Sequence, residues 1–113
     1  DPDAAQRSIE ALWDAFERLK THIDPTNKKS SAQALIIAVA QSSEEQALFE
    51  AEMLTLTGIG NMWRIRHHET NKHDLGTDRR LRDYLFLRMF TLLHRIIPGR
   101  KAMLHETPNP LFD

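Results

Sequence analysis

Apolar residues recur along this chain in steps of three and four. Ile9, Leu12, Trp13, Phe16 and Leu19 form one stripe, the spacing of a helix with a single buried face. They predict a first helix over about Asp3 to His22. Asp1 would cap it, Pro2 suits its first turn, and Asp3 suits the positive end of its dipole. On its exposed side Asp14 and Arg18 stand one turn apart as an opposite-charge pair. Asp24-Pro25-Thr26-Asn27-Lys28-Lys29 then reads as a loop, since Asp-Pro and Asn form turns and the residue before Pro resists helix.

A second helix is expected over about Ala32 to Gln41, capped by Ser30 or Ser31. It is short and apolar nearly all round, the pattern of a buried helix. Ser43 with Gln46 reads as a capping box that opens a third helix. Phe49, Met53, Leu56, Gly60 and Trp63 fall on one line, so this helix is expected to pass through Gly58 and Gly60 to about Glu69. A break at Thr57-Gly58 is the alternative. Each glycine costs roughly 1 kcal/mol inside a helix, which is tolerated where another helix must come close. The polar stretch Thr70 to Thr77, with Gly76, reads as a loop. A fourth helix, capped by Asp78, is expected from Arg79 to Ile97, with Leu81, Leu85, Met89, Leu92 and Ile96 buried and Pro98-Gly99 as its stop. Residues 99–113 read as an irregular tail. No strand pattern or internal repeat appears. The expected fold class is all-α, a four-helix bundle over residues 1–98.

The 113 residues make one domain, which buries only about two-thirds of its unfolded surface. A dimer interface would enlarge its modest core. The absence of cysteine excludes disulfides, thiolate metal sites and a cysteine nucleophile, and fits an intracellular, cytoplasmic protein. The longest uncharged apolar stretch, Ala32 to Ala40, falls short of the ~20 residues that span a bilayer, so no membrane partner is expected. The acidic start Asp1-Pro2-Asp3 is no signal peptide; with no initiator Met, the chain reads as a domain of a larger protein with a fused or partner regulatory domain. Net charge is −1, but it is divided unevenly: residues 1–63 hold 5 Lys and Arg against 10 Asp and Glu, and residues 64–100 hold 9 against 4. The basic part either meets an anionic partner or attracts the acidic part of its own or a second chain.

Within the basic part, His67, His68 and His73 lie close behind Arg64 and Arg66, with Asn71 and Lys72 between them. Like charges and titratable groups packed this densely work against folding, and such local conflicts mark functional sites. Imidazole takes and gives protons near neutral pH. Guanidinium grips phosphate through two parallel hydrogen bonds. Together they suit cleavage of an RNA phosphodiester, the imidazole deprotonating the ribose 2′-OH and the guanidinium offsetting charge on the phosphate. Such chemistry needs no metal or cofactor and spares DNA, which lacks the 2′-OH.

Arg66-His67 followed by His73 resembles the R-x4–6-H motif of HEPN domains, with a polar residue after the Arg. The wider run, from Ala11-Leu12-Trp13-Asp14 through Gly60-Asn61 to Ile65-Arg66-His67-His68-Glu69, looks like the C-terminal domains of abortive-infection proteins, and the likeness covers most of residues 5–97. The resemblance implies a small helical bundle that pairs as a homodimer, the motifs of two subunits forming one cleft. It implies a metal-independent endoribonuclease of antiphage, abortive-infection or toxin–antitoxin defence. Arg66 and His73 would be its catalytic pair, with His67 orienting the phosphate, and Arg64, His68, Asn71 and Lys72 would hold the substrate. The spacing is at the long end of the family range, and His68 is an extra imidazole. Leu75 stands where some members carry a modified Tyr, so that mode of silencing is not expected.

Plainer roles stand beside these. His67 and His73 serve equally as polar residues at a helix end, where a cation gains ~0.3–1 kcal/mol. Adjacent histidines point apart on a helix, so a metal site from His67, His68 and His73 is disfavoured. Trp13 and Trp63 lie on apolar stripes and read as core anchors, and Arg79, Arg80 and Arg82 read as a solvated face. The rival to a nuclease is a non-catalytic HEPN-like module that dimerises or binds RNA or protein. Arg66 and His73 discriminate: convergence on an exposed cleft favours catalysis, and separate ion pairs favour the module.

Overall fold

The computed structural model describes residues 2–22, 26–76 and 79–104. They form α1 (Pro2–His22), α2 (Lys28–Val39), α3 (Ser43–Met62) and α4 (Arg79–Leu104), and no strand. The protein is an all-helical bundle. α2 packs most closely on α4, and α1 and α3 each lie against both.

The apolar stripes meet as the periodicity requires. Ile9, Trp13, Phe16 and Leu19 of α1, Leu35 and Ile36 of α2, Met53 and Leu56 of α3, and Leu85, Met89, Leu92, Leu93 and Ile96 of α4 are buried together. Leu12, Phe49, Trp63 and Leu81 sit half-buried at the edge of this cluster. α2 is not wholly enclosed, because Ile37 faces solvent.

The helix ends differ from expectation at several points. α2 starts at Lys28, because the Asn27 side chain accepts a hydrogen bond from Ser30 N at 3.1 Å and caps it. Ser31 is thereby a buried helical residue and not a cap. α3 is capped by Ser42, whose hydroxyl accepts from Glu45 N at 3.0 Å. The expected Ser43–Gln46 box thus gives way to a cap one residue earlier. α4 passes Pro98 and continues to Leu104. Proline lacks one N–H, so a helix that crosses it loses a bond and strains a turn, and here the loss falls two residues beyond buried Ile96. Asp1 and Asp78, the expected caps of α1 and α4, lie outside the described residues, as do residues 105–113 of the expected tail.

α3 also ends early, at Met62 and not near Glu69. Trp63 turns into extended backbone at φ −110° and ψ 147°. From there the chain exchanges helical bonds for bonds across a loop. Arg64 N donates to His73 O at 2.7 Å and His73 N donates to Met62 O at 2.9 Å. Ile65 and Leu75 are buried in the core from opposite ends of this loop. Two buried side chains and these cross-loop bonds take the place of about two further turns of helix, since most of the backbone groups are paired again while apolar area is gained.

Part of the charge asymmetry is spent inside the fold. Arg88 of α4 donates to Glu52 of α3 at 2.8 and 2.6 Å, and Arg95 pairs with Glu45 while lying 5.1 Å above the Phe49 ring. Lys20 of α1 reaches Thr57 of α3 at 3.0 Å and Glu17 at 3.0 Å. Among the described residues no helix is long and apolar enough to cross a membrane.

Candidate functional site

The cluster singled out in the sequence lies on the loop that follows α3, residues 63–76, rather than on a helix. α1 holds that loop through three residues spaced one turn apart. Gln6 Nε2 donates to Ile65 O at 2.8 Å. Glu10 accepts from His67 N at 3.0 Å. Asp14 Oδ1 accepts from Nε and Nη2 of Arg66 at 3.0 and 2.7 Å. Positions i, i+4 and i+8 share one helix face, so this polar row runs beside the apolar stripe of α1. Asp14 therefore serves Arg66 and not Arg18, the partner expected from sequence. The signal was visible as the row Gln6, Glu10, Asp14, but its long-range partners were not.

Glu69 completes the arrangement. Its carboxylate accepts from Arg66 N at 2.9 Å and from Lys72 Nζ at 2.5 Å, and it lies 4.0 Å from Arg66 Nη1. Lys72 also donates to Gly60 O at 2.9 Å. The Glu69 side chain is only 14% exposed. Burial pushes its pKa up, but the bonds from Lys72 and Arg66 N and the two nearby cations more than reverse that, leaving it below the ordinary glutamate value. Arg66 and Lys72 are thus balanced by Asp14 and Glu69. A phosphate approaching Arg66 would meet two carboxylates already bound to it.

The other candidates are differently placed. The guanidinium of Arg64 donates to His67 O at 3.1 and 2.6 Å and lies 3.9 Å from Asp74. His67, His68 and Asn71 are exposed. His73 is exposed too, with its ring centroid 5.2 Å from that of Trp63. Trp63 is therefore both a core-edge residue and the platform for an imidazole. Among the described residues no hydrogen bond joins Arg66 to His73, and no three His, Asp or Glu side chains come together to hold a metal. Arg66, at 24% side-chain exposure, faces α1, while His73 lies on the returning arm of the loop.

Sequence reasoning missed Arg82. Arg79 and Arg80, read with it as a solvated face, are exposed, but Arg82 in the first turns of α4 is half-buried, and its Nε is buried with no hydrogen-bond partner among the described residues. Gln6, Arg64, His67, Asp74, Leu75 and Arg82 line a pocket of about 190 Å³ beside the loop. Gly60 was expected to allow close packing and does so, since a Cβ there would stand 2.6 Å from Trp13 Nε1; around Gly58 the space is open. No family model matches the chain, and neither a curated protein nor a solved structure matches it.

Proposed function

We propose that the chain is a non-catalytic, HEPN-like helical module that binds RNA through the loop of residues 63–76 and pairs as a homodimer. The observation that carries this reading is the double pairing of Arg66 with Asp14 and Glu69. It makes Arg66 an internal brace, and it leaves His67, His68, Asn71 and His73, with the Arg64 donors not taken by His67 O, to meet a ligand. These groups offer hydrogen-bond donors and an aromatic-backed imidazole, which suit phosphates and unstacked bases.

The exposed apolar residues Leu48 and Leu54 of α3 and Tyr84, Leu87 and Phe90 of α4 supply the surface for a second copy. The charged residues of α3 are all acidic and those of α4 mainly basic, but Glu52 and Glu45 are already paired with Arg88 and Arg95 of the same copy, so the apolar residues carry this surface. A two-fold axis would set α3 of each copy against α4 of the other, which is self-complementary.

A second reading, an endoribonuclease of antiphage or abortive-infection defence, is favoured by the exposure of His67, His68 and His73 on one loop. There the 2′-oxygen, deprotonated by an imidazole, attacks phosphorus. The 5′-oxygen then leaves with a proton, and a 2′,3′-cyclic phosphate remains. This requires Arg66 to quit Asp14. Pure protein, incubated in EDTA with labelled single-stranded RNA, separates the readings. The module binds RNA, more weakly as salt rises, and leaves it intact. Absence of RNA binding at low salt ends the proposal. Cleavage abolished by both Arg66→Ala and His73→Ala installs the nuclease in its place.

A further inference from the structure

The pocket beside the loop contains a guanidinium that pairs with none of the described residues. Arg82 has a buried Nε without an acceptor, and its guanidinium finds no hydrogen bond or ion pair among the described residues. A guanidinium is effectively always charged, and a buried donor left without an acceptor is unfavourable; Arg82 as a whole is half-buried, so its outer nitrogens remain within reach of a ligand. Asp74, the one carboxylate of the lining, forms no ion pair with Arg82. It lies 3.9 Å from Arg64 Nη1, is 74% exposed, and spends Oδ1 on Gly76 N at 2.7 Å. Glu10 is engaged from the far side of the loop, on His67 N. The pocket lining therefore holds two guanidiniums and an imidazole against one carboxylate at the rim.

We infer that this pocket, between Arg64, Arg82 and His67, seats a phosphate group. Its volume of about 190 Å³ lies below the roughly 300–1,000 Å³ of pockets that enclose drug-sized molecules, so a small anion fits where a whole nucleoside does not. The Arg64 donors not taken by His67 O, the outer nitrogens of Arg82 and an imidazole together offer more donors than the two oxygens of a carboxylate accept, and a phosphate supplies more oxygens and more charge. Gln6 fixes the floor, because its Nε2 is bound to Ile65 O at 2.8 Å. Arg64 is preset by its two bonds to His67 O. The inference rests on the RNA-binding reading and sharpens it: the group read is the phosphate, either within an RNA chain or free.

The test uses the full chain labelled at arginine nitrogen, titrated with inorganic phosphate, with chloride at equal ionic strength, and with a short single-stranded RNA. Phosphate and RNA are expected to shift the Arg82 and Arg64 Nε–H resonances, and chloride to leave them unmoved. Arg82→Gln should weaken RNA binding by at least about tenfold, the loss typical of a charge-assisted bond. Arg82→Lys should recover only part, because it restores charge without the fork. Arg79→Gln, an exposed neighbour, should change affinity much less. RNA affinity in a folded Arg82→Gln equal to wild type overturns the pocket and leaves the RNA-binding module standing. Wild type that binds no RNA overturns the module as well. Equal shifts with chloride, or displacement of RNA by an acidic peptide at lower concentration than by phosphate, also overturn the inference. Should Arg82→Gln fail to fold, the wild-type titration still decides.

Discussion

Replacing Gly60 by Ala tests how the bundle holds its candidate site, because Gly60 is the point where α3 passes over the Trp13 indole. A Cβ there would stand 2.6 Å from Trp13 Nε1 and 3.1 Å from Cδ1. Trp13 is 1% exposed and a rigid ring, so the backbone of α1 or α3 must yield. Overpacking of this severity falls near the upper end of ~1–3 kcal/mol. The removal of glycine from a helix returns ~1 kcal/mol. The net expectation is a loss of about 2 kcal/mol. Gly58 has nothing within 4 Å of its own added Cβ, so Gly58→Ala keeps the gain of up to ~1 kcal/mol without the clash. Urea denaturation followed by tryptophan fluorescence should separate the two variants by about 3 kcal/mol, and their melting temperatures should differ by roughly 10 °C. Gly60→Ala should also loosen the loop, since Gly60 O accepts from Lys72. Equal stability of the two variants, or a less stable Gly58→Ala, would refute the packing account.

Further outcomes follow from the loop and its brace. Asp14→Ala and Arg66→Ala should each destabilise, and a double-mutant cycle should return a coupling of about 1 kcal/mol, discounted because the Asp14 side chain is 46% exposed; a coupling of zero would remove the brace. Ile65→Ala should cost about 2–5 kcal/mol, with amide exchange across residues 63–76 accelerating beyond the rest of the chain; a global loss without that local change would show that the loop has no separate dependence on its anchor. Glu69 favours its charged form when folded. Its contribution is therefore complete above the ordinary glutamate value and is lost as pH falls through the lower folded value. Melting temperature should drop below about pH 4, less steeply in Glu69→Gln, and identical acid limbs in the two proteins would contradict the assignment.

Much of the bundle was legible in the sequence. The stripes on α1 and α4 bury as their spacing requires, because a 3.6-residue period leaves one solution when an apolar face must leave water. The third helix was read too long. Its apolar line continues through Trp63, and local pattern carries no record that Ile65 and Leu75 would meet in the core and pull the chain out of helix. Caps shifted by one or more residues at Asn27 and Ser42 because Ser, Asn and Thr crowd both sites and tertiary contacts choose among them. The density of charge around residues 64–73 falls on the segment where the chain leaves helix. Its purpose was not legible, since Asp14 is distant in sequence and only the fold brings it to Arg66. The unpartnered Arg82 was hidden for the same reason: exposure of a helical arginine depends on what packs over it.

The account turns on Arg66 being spent on Asp14 and Glu69 rather than on a ligand. The most direct measurement is the Arg66 Nε–H resonance and its exchange rate, in free protein and in protein saturated with single-stranded RNA. The resonance should be slowly exchanging and unchanged by RNA, while those of Arg64 and Arg82 move. An Arg66 signal that shifts on RNA addition and loses the protection given by Asp14 would show the brace opening onto substrate, and would contradict the central claim.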